Sequence, residues 1–189
     1  MNVYDFDGTI YRGDSTKDFY LHCLRHNPRM LAQVPANGVD CVQFALHRLA
    51  RQDFKERFMR RLLSRVEASR MVASFWQTHR GRLQEWYLEQ RDAGDLVISA
   101  SPQFLLQPLC DELGVSLIAT NVDPATGAFL GPNMRGEEKV RAFGEAYPHT
   151  TPAAFYSDSM SDAPMMRLAE QAFLVRGTKI TPVDRHALS

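Results

Sequence analysis

The chain opens MNVYDFDGTIYRGDS, residues 1–15, and the reading of this stretch decides the fold. Asn2 to Phe6 is a short apolar run that reads as a strand. Asp5 and Asp7 stand one residue apart at its end, followed by Gly8 and Thr9. Like charges at short range repel, and desolvated carboxylates are costly. A buried strand that ends this way needs something to compensate its charge.

Four later segments resemble the first. Asp95 to Ser99 (DLVIS) follows Ala93-Gly94, Val115 to Thr120 (VSLIAT) follows Gly114, Ala153 to Ser157 (AAFYS) follows Pro152, and Ala172 to Val175 (AFLV) precedes Gly177. Short continuous apolar runs bounded by Gly or Pro fit strands buried on both faces. Helical patterns lie between most of them, over Gln103 to Leu113 with Gly114 as a stop, Glu137 to Tyr147, and Asp162 to Glu170. Strand–helix–strand alternation implies a parallel sheet covered on both faces, an α/β fold with a Rossmann-like three-layer core.

The interval 15–91 breaks the alternation. It contains no convincing strand. Ser15-Thr16-Lys17-Asp18 resembles a capping box, and Phe44, Leu46, Leu49, Phe54, Phe58, Leu62, Val66, Val72, Phe75 and Trp76 recur at roughly helical spacing. The expected organisation is a core made of 1–14 and 92–189, with a small all-helical insert at 15–91.

Bulk composition narrows the function classes. Lys plus Arg and Asp plus Glu both number 22, so there is no net charge to suggest nucleic-acid binding. Three cysteines, Cys23, Cys41 and Cys110, lack CxxC spacing and form no disulfide framework. No leader and no membrane-spanning stretch is evident, so the expectation is a reduced, cytoplasmic protein.

Ligands of open α/β sheets bind at the C-terminal strand ends. There the topology would gather Asp5 and Asp7, Ser99-Ala100-Ser101, and Ser157-Asp158 with Asp162, while Lys139 begins the helix before the fourth strand. Mg²⁺ takes a few carboxylates together with substrate phosphate oxygens and water, which makes Asp5 and Asp158 plausible ligands. A carboxylate can attack phosphorus. Asp7 could protonate a leaving alcohol and then activate water. Lys139 would supply charge, and Ser99 with the backbone N–H groups of Gly8 and Ala100 would supply hydrogen bonds.

These pieces resemble the four motifs of the haloacid dehalogenase superfamily of phosphohydrolases. DFDGT at 5–9 is similar to the first motif, the serine ending VIS at 97–99 to the second, Lys139 in GEEK to the third, and SDSMSD at 157–162 to the fourth. The helical insert after the first motif resembles the cap of the phosphoserine-phosphatase-like branch. The resemblance implies Asp5 as nucleophile and Mg²⁺ ligand. It implies Asp7 as general acid/base and as a Mg²⁺ ligand through its carbonyl. Ser99 and Lys139 would hold the phosphoryl group, Asp158 would bind Mg²⁺, and Asp162 would support the metal directly or through water. The substrate would be a small phosphate ester. The presence of Asp7 favours a phosphatase or phosphomutase over a dehalogenase.

Several residues admit a plainer reading. Ser101 is expected to cap the following helix, and Asp162 could be a favourable charge at a helix start. Asp14 could cap a helix or contact substrate, as an acid at about that distance does in phosphoserine phosphatases. Arg57, Arg60 and Arg61 could meet a substrate carboxylate or stay solvated. His22-Cys23 and His26 are read as helix surface. The apolar stretches Met30 to Val34 and Val39 to Leu46 could touch a membrane, with cap core preferred. Alternatives at the level of function are a phosphotransferase or phosphomutase, a lipid-phosphate phosphatase, and a non-catalytic phosphate-binding protein.

Overall fold

The computed structural model describes residues 1–184 and 188; positions 185–187 and 189 of the expected core segment lie outside the described residues. The apolar runs form a six-stranded sheet in the order β3-β2-β1-β4-β5-β6. β1 (Asn2–Tyr4), β2 (Leu96–Pro102), β3 (Ser116–Thr120), β4 (Ala154–Ser157) and β5 (Gln171–Arg176) run parallel, with β1 paired to both β2 and β4. β6 (Lys179–Val183) returns antiparallel on β5 through a hairpin at Gly177. This edge strand is absent from the sequence reading. KITPV is mostly exposed and carries a proline, which an edge strand tolerates.

Helices cover both faces. On one side lie α1 (Ser15–His26), α4 (Ala68–His79), α5 (Glu85–Gln90) and α6 (Gln103–Leu113). Phe19, Phe75, Trp76, Tyr87, Leu105 and Leu106 pack there in one cluster with Tyr4, Phe6 and Val97 of the sheet side. Each such buried side chain contributes about 1.5–3 kcal/mol by leaving water. Trp76 Nε1 also donates to the Leu105 carbonyl at 2.7 Å, tying α4 to α6. On the other face α7 (Glu137–Ala146) and α8 (Ala163–Leu168) bury Phe143, Met165 and Met166 against Val3, Ile98 and Phe155. Gly114 ends α6 at φ +68°, the left-handed stop its sequence position announced.

The rest of the helical insert, α2 (Val34–Ala45) and α3 (Arg51–Leu63), stands beyond α1. Asp40, nearly fully buried between them, meets Arg61 at 2.6 Å and Arg57 at 3.4 Å. Met30 is buried, but Leu31, Val34, Val39, Val42 and Leu46 are exposed, against the preferred reading of those stretches as cap core. His22 and Cys23 are also buried, not helix surface: His22 Nε2 pairs with Ser74 Oγ at 3.1 Å between α1 and α4. His26 does lie on the surface.

Candidate active site

The ends of β1, β2 and β4 meet around a small cavity of about 170 Å³ lined by Asp5, Asp7, Ser99, Ala100, Arg135, Lys139, Ser159, Ser161 and Asp162. This is the edge at which the sheet reverses its order on either side of β1, where open α/β sheets take ligands.

Positive charge reaches Asp5 from α7. Lys139, 2% exposed in the first turn of that helix, places Nζ 2.7 Å from Asp5 Oδ1 and 2.7 Å from Asp162 Oδ2. Asp162 Oδ2 also accepts from Ser157 Oγ at 2.9 Å. Burial works against the ammonium, but Asp5 and Asp162 outweigh it and hold the Lys139 pKa above its ordinary value. Burial lifts the Asp5 carboxyl; Lys139 opposes that and Asp162 adds to it. Arg141 is spent elsewhere, on Glu138 and Glu145 at the surface.

Asp7 is held from the other side. The Ser15 N–H donates to Oδ1 at 2.6 Å and Ser101 Oγ donates to Oδ2 at 2.5 Å. Ser101 lies within hydrogen-bond distance of Ser15 Oγ at 3.3 Å and Thr16 Oγ1 at 2.9 Å. Ser101 therefore does not cap the next helix as expected; α6 begins after Pro102 without a side-chain cap. Burial pushes the Asp7 carboxyl up to about 7, against the lowering effect of these hydrogen bonds. A carboxyl titrating near neutrality can give and take a proton in the pH range of catalysis.

Thr9 joins two strand ends. Its Oγ1 accepts from the Asp158 N–H at 2.9 Å and lies 3.5 Å from Asp5 Oδ2. Asp158 is raised to about 6 by burial, then by Asp5 and Asp162. Gly8 has φ +75°, and a Cβ there would lie 2.1 Å from Asp158 Oδ2. Its N–H donates to the Tyr11 and Gly13 carbonyls, so Gly8 contributes clearance for Asp158 rather than a donor aimed at the cavity. Ser99, almost fully buried, accepts from the Ser101 N–H at 3.1 Å. Ala100 lines the cavity, and its carbonyl accepts from Thr120 Oγ1 and Lys55 Nζ.

Asp14 caps α1, accepting from the Lys17 N–H at 2.9 Å, and is not part of the cavity wall. Ser15, expected as the cap, sits inside the helix. Arg57 and Arg61 face Asp40, and Arg60 pairs with Glu56, so none of the three reaches the cavity. Arg135 does, without any motif to announce it. Lys55 of α3 went unread as well. It bonds the Ala100 carbonyl at 3.3 Å and Asn133 Oδ1 at 2.8 Å, bringing the insert onto the rim. Gly127 packs as tightly on α3, since a Cβ there would meet the Arg60 backbone N at 2.5 Å.

Comparison with known proteins places this geometry. Histidinol-phosphatase of Neisseria meningitidis serogroup C (strain 8013) is 31% identical over 98 residues, 44% of this chain and 44% of that protein, so the match spans less than half of either. A protein of unknown function from Bordetella pertussis Tohama I superposes with a TM-score of 0.69 at 20% identity, covering 91% of this chain and 87% of the other. A phosphoserine phosphohydrolase-like protein from Francisella tularensis subsp. tularensis SCHU S4 gives 0.57 at 15%, covering 91% and 86%. A probable phosphoserine phosphatase from Vibrio cholerae gives 0.63 at 12%, covering 90% and 55%. At these identities the structures speak for the shared fold. The model of the haloacid dehalogenase-like hydrolases matches residues 3–167, from β1 through α8 and across all the strand ends that build the cavity. The chain belongs to the haloacid dehalogenase-like hydrolase family.

Proposed function

We propose that the protein is a Mg²⁺-dependent phosphomonoester phosphatase that acts through a phosphoryl group carried on Asp5. The observation that supports this most is the arrangement of Lys139 between Asp5 and Asp162, with Asp7 fixed separately by Ser15 and Ser101. One aspartate is neutralised on a buried ammonium. The other is a positioned carboxyl with a pKa near neutrality.

The donor set suits a hard cation. Among the described residues no three His, Cys, Asp or Glu side chains form a ready-made metal cage. Mg²⁺ asks for less, being held by one or two carboxylates while water and substrate phosphate complete its shell. Asp5, Asp158 and the Asp7 carbonyl would hold it, with Asp162 supporting the set. Asp158 is suited to this: Gly8 gives its carboxylate room beside β1, and burial together with the neighbouring Asp5 and Asp162 raises its pKa, which a bound cation would oppose. Bound there, Mg²⁺ would offset the negative charge of the phosphoryl oxygens.

The chain's own residues then divide the chemistry. An Asp5 carboxylate oxygen forms a bond to phosphorus, and the bond from phosphorus to the leaving oxygen breaks. Asp7 passes its proton to that oxygen, releasing an alcohol. In the second half, Asp7 takes a proton from water, whose oxygen attacks phosphorus and frees Asp5 with inorganic phosphate. Lys139 and Ser99 face the phosphoryl oxygens. The insert, α2 and α3 in particular, acts as the cap, with Lys55 and the Gly127 loop seating it over the strand ends.

The substrate class is a small phosphate ester. Arg135 is the guanidinium on the cavity wall available to a second anionic group on it, since Arg57, Arg60 and Arg61 are paired with acids and do not reach the cavity. Phosphate release from amino-acid, amino-alcohol, sugar, nucleotide and lipid phosphates, with Mg²⁺ and with chelator, tests the reading. Metal-dependent turnover of one class supports it. Silence across the panel from a folded protein overturns it, and transfer of the phosphoryl group to an added alcohol would assign a phosphotransferase instead.

A further inference from the structure

We infer that the outer face of α2 docks the protein on an anionic lipid surface. α2 is amphipathic in an unusual way. Its one charged residue, Asp40, turns inward onto Arg57 and Arg61. Everything it presents outward is uncharged: Pro35, Gly38, Val39, Val42 and Leu46 recur at spacings of three and four, the ridge of one helix face. Val39 is 56% exposed, Val42 58% and Leu46 57%, and Leu31 in the turn before α2 is 60% exposed. α2 packs on α3 and on the 3-10 turn Pro28–Gln33, and neither covers this ridge. A soluble monomer rarely leaves so many large aliphatic side chains together in water, and such a patch marks an interaction site.

The charges around the ridge select the occupant. From Arg25 to Arg51 the sequence holds four arginines and two histidines, and Asp40 is its one acid. Arg25, Arg29 and Arg48 are exposed and make no ion pair among the described residues. Arginines therefore stand at both ends of the apolar ridge, Arg25 and Arg29 before it and Arg48 after it, with no exposed acid between. An apolar helix face with unpaired arginines at both ends matches a bilayer with anionic headgroups, the valines and leucines entering the acyl boundary and the arginines meeting phosphates. A second copy of the chain would bring the same arginines to face each other. No helix among the described residues is long and apolar enough to cross a membrane, so the contact is peripheral.

Sedimentation of the full chain with sucrose-loaded vesicles tests this. Phosphatidylcholine vesicles containing phosphatidylglycerol are expected to carry the protein down at low salt. Binding should weaken at high salt and on phosphatidylcholine alone. The double variant Val39→Glu/Val42→Glu removes the centre of the ridge without touching the core, and its thermal melt should match the parent. It should lose at least about tenfold in partition per valine. Arg29→Glu/Arg48→Glu should abolish the preference for the anionic lipid. No binding to anionic vesicles at low salt overturns the inference. A dimer in sedimentation equilibrium that Val39→Glu/Val42→Glu dissociates also overturns it, by assigning the face to a second copy.

Discussion

Lys139 on α7 holds Asp5 and Asp162 at the same distance, 2.7 Å each, and so joins the ends of β1 and β4 through one buried ammonium. Substitution by Met leaves two carboxylates facing each other without a cation. Removing one partner of a buried ion pair costs about 3–5 kcal/mol, so Lys139→Met should lower stability by that order in urea unfolding. Phosphatase turnover should fall by at least about a hundredfold, since the same ammonium is proposed to face the phosphoryl oxygens.

Gly8 is expected to tolerate no side chain. At φ +75° an alanine adopts a left-handed conformation costing about 1–2 kcal/mol, and its Cβ would overlap Asp158 Oδ2. Gly8→Ala should keep its circular dichroism spectrum yet lose at least about tenfold in turnover. More Mg²⁺ should be needed for half-maximal rate, because the displaced side chain is a proposed metal ligand.

Ser101 carries Asp7 and not a helix end. Ser101→Ala removes one of the two hydrogen bonds that orient the Asp7 carboxyl. Steady-state kinetics on the best substrate of the panel should show kcat down by about tenfold with KM little changed, the pattern of an interaction that matters in the transition state. A helix-capping role would instead lower the melting temperature and leave kcat alone.

His22 makes stability depend on pH. Burial, then His26, His79 and Arg25, push its pKa down to about 4 from the ordinary 6.5. As pH falls below 6.5 the unfolded chain takes up a proton that the folded chain refuses, so stability drops between that value and about 4 and is level above it. The loss at full extent is about 3 kcal/mol. Urea midpoints at pH 7.5 and 5.0 should therefore separate more for the parent than for His22→Gln, which has no proton to gain.

Legibility in the sequence followed locality. The five parallel strands were readable because each is a short apolar run, four of them with Gly or Pro close by on one side, and Gly114 marked its helix end correctly. β6 was not, because an exposed edge strand has no apolar run to show. Asp5, Asp7, Asp158 and Asp162 could be placed from strand ends alone. The bond from Ser101 to Asp7 and the places of Lys55, Asn133 and Arg135 could not be read that way, since they depend on other elements and only the closed chain brings these residues together. The apolar residues of α2 misled for a related reason: helical periodicity says that a face exists but not whether anything covers it.

Asp5 is proposed to carry the phosphoryl group. Acid quench during turnover, followed by mass spectrometry of the peptide containing Asp5, tests it most directly. A phosphoryl adduct on Asp5 in the parent, absent from Asp5→Asn together with a loss of turnover of about a thousandfold or more, is the expected result. An Asp5→Asn protein that keeps full Mg²⁺-dependent phosphate release would contradict the account.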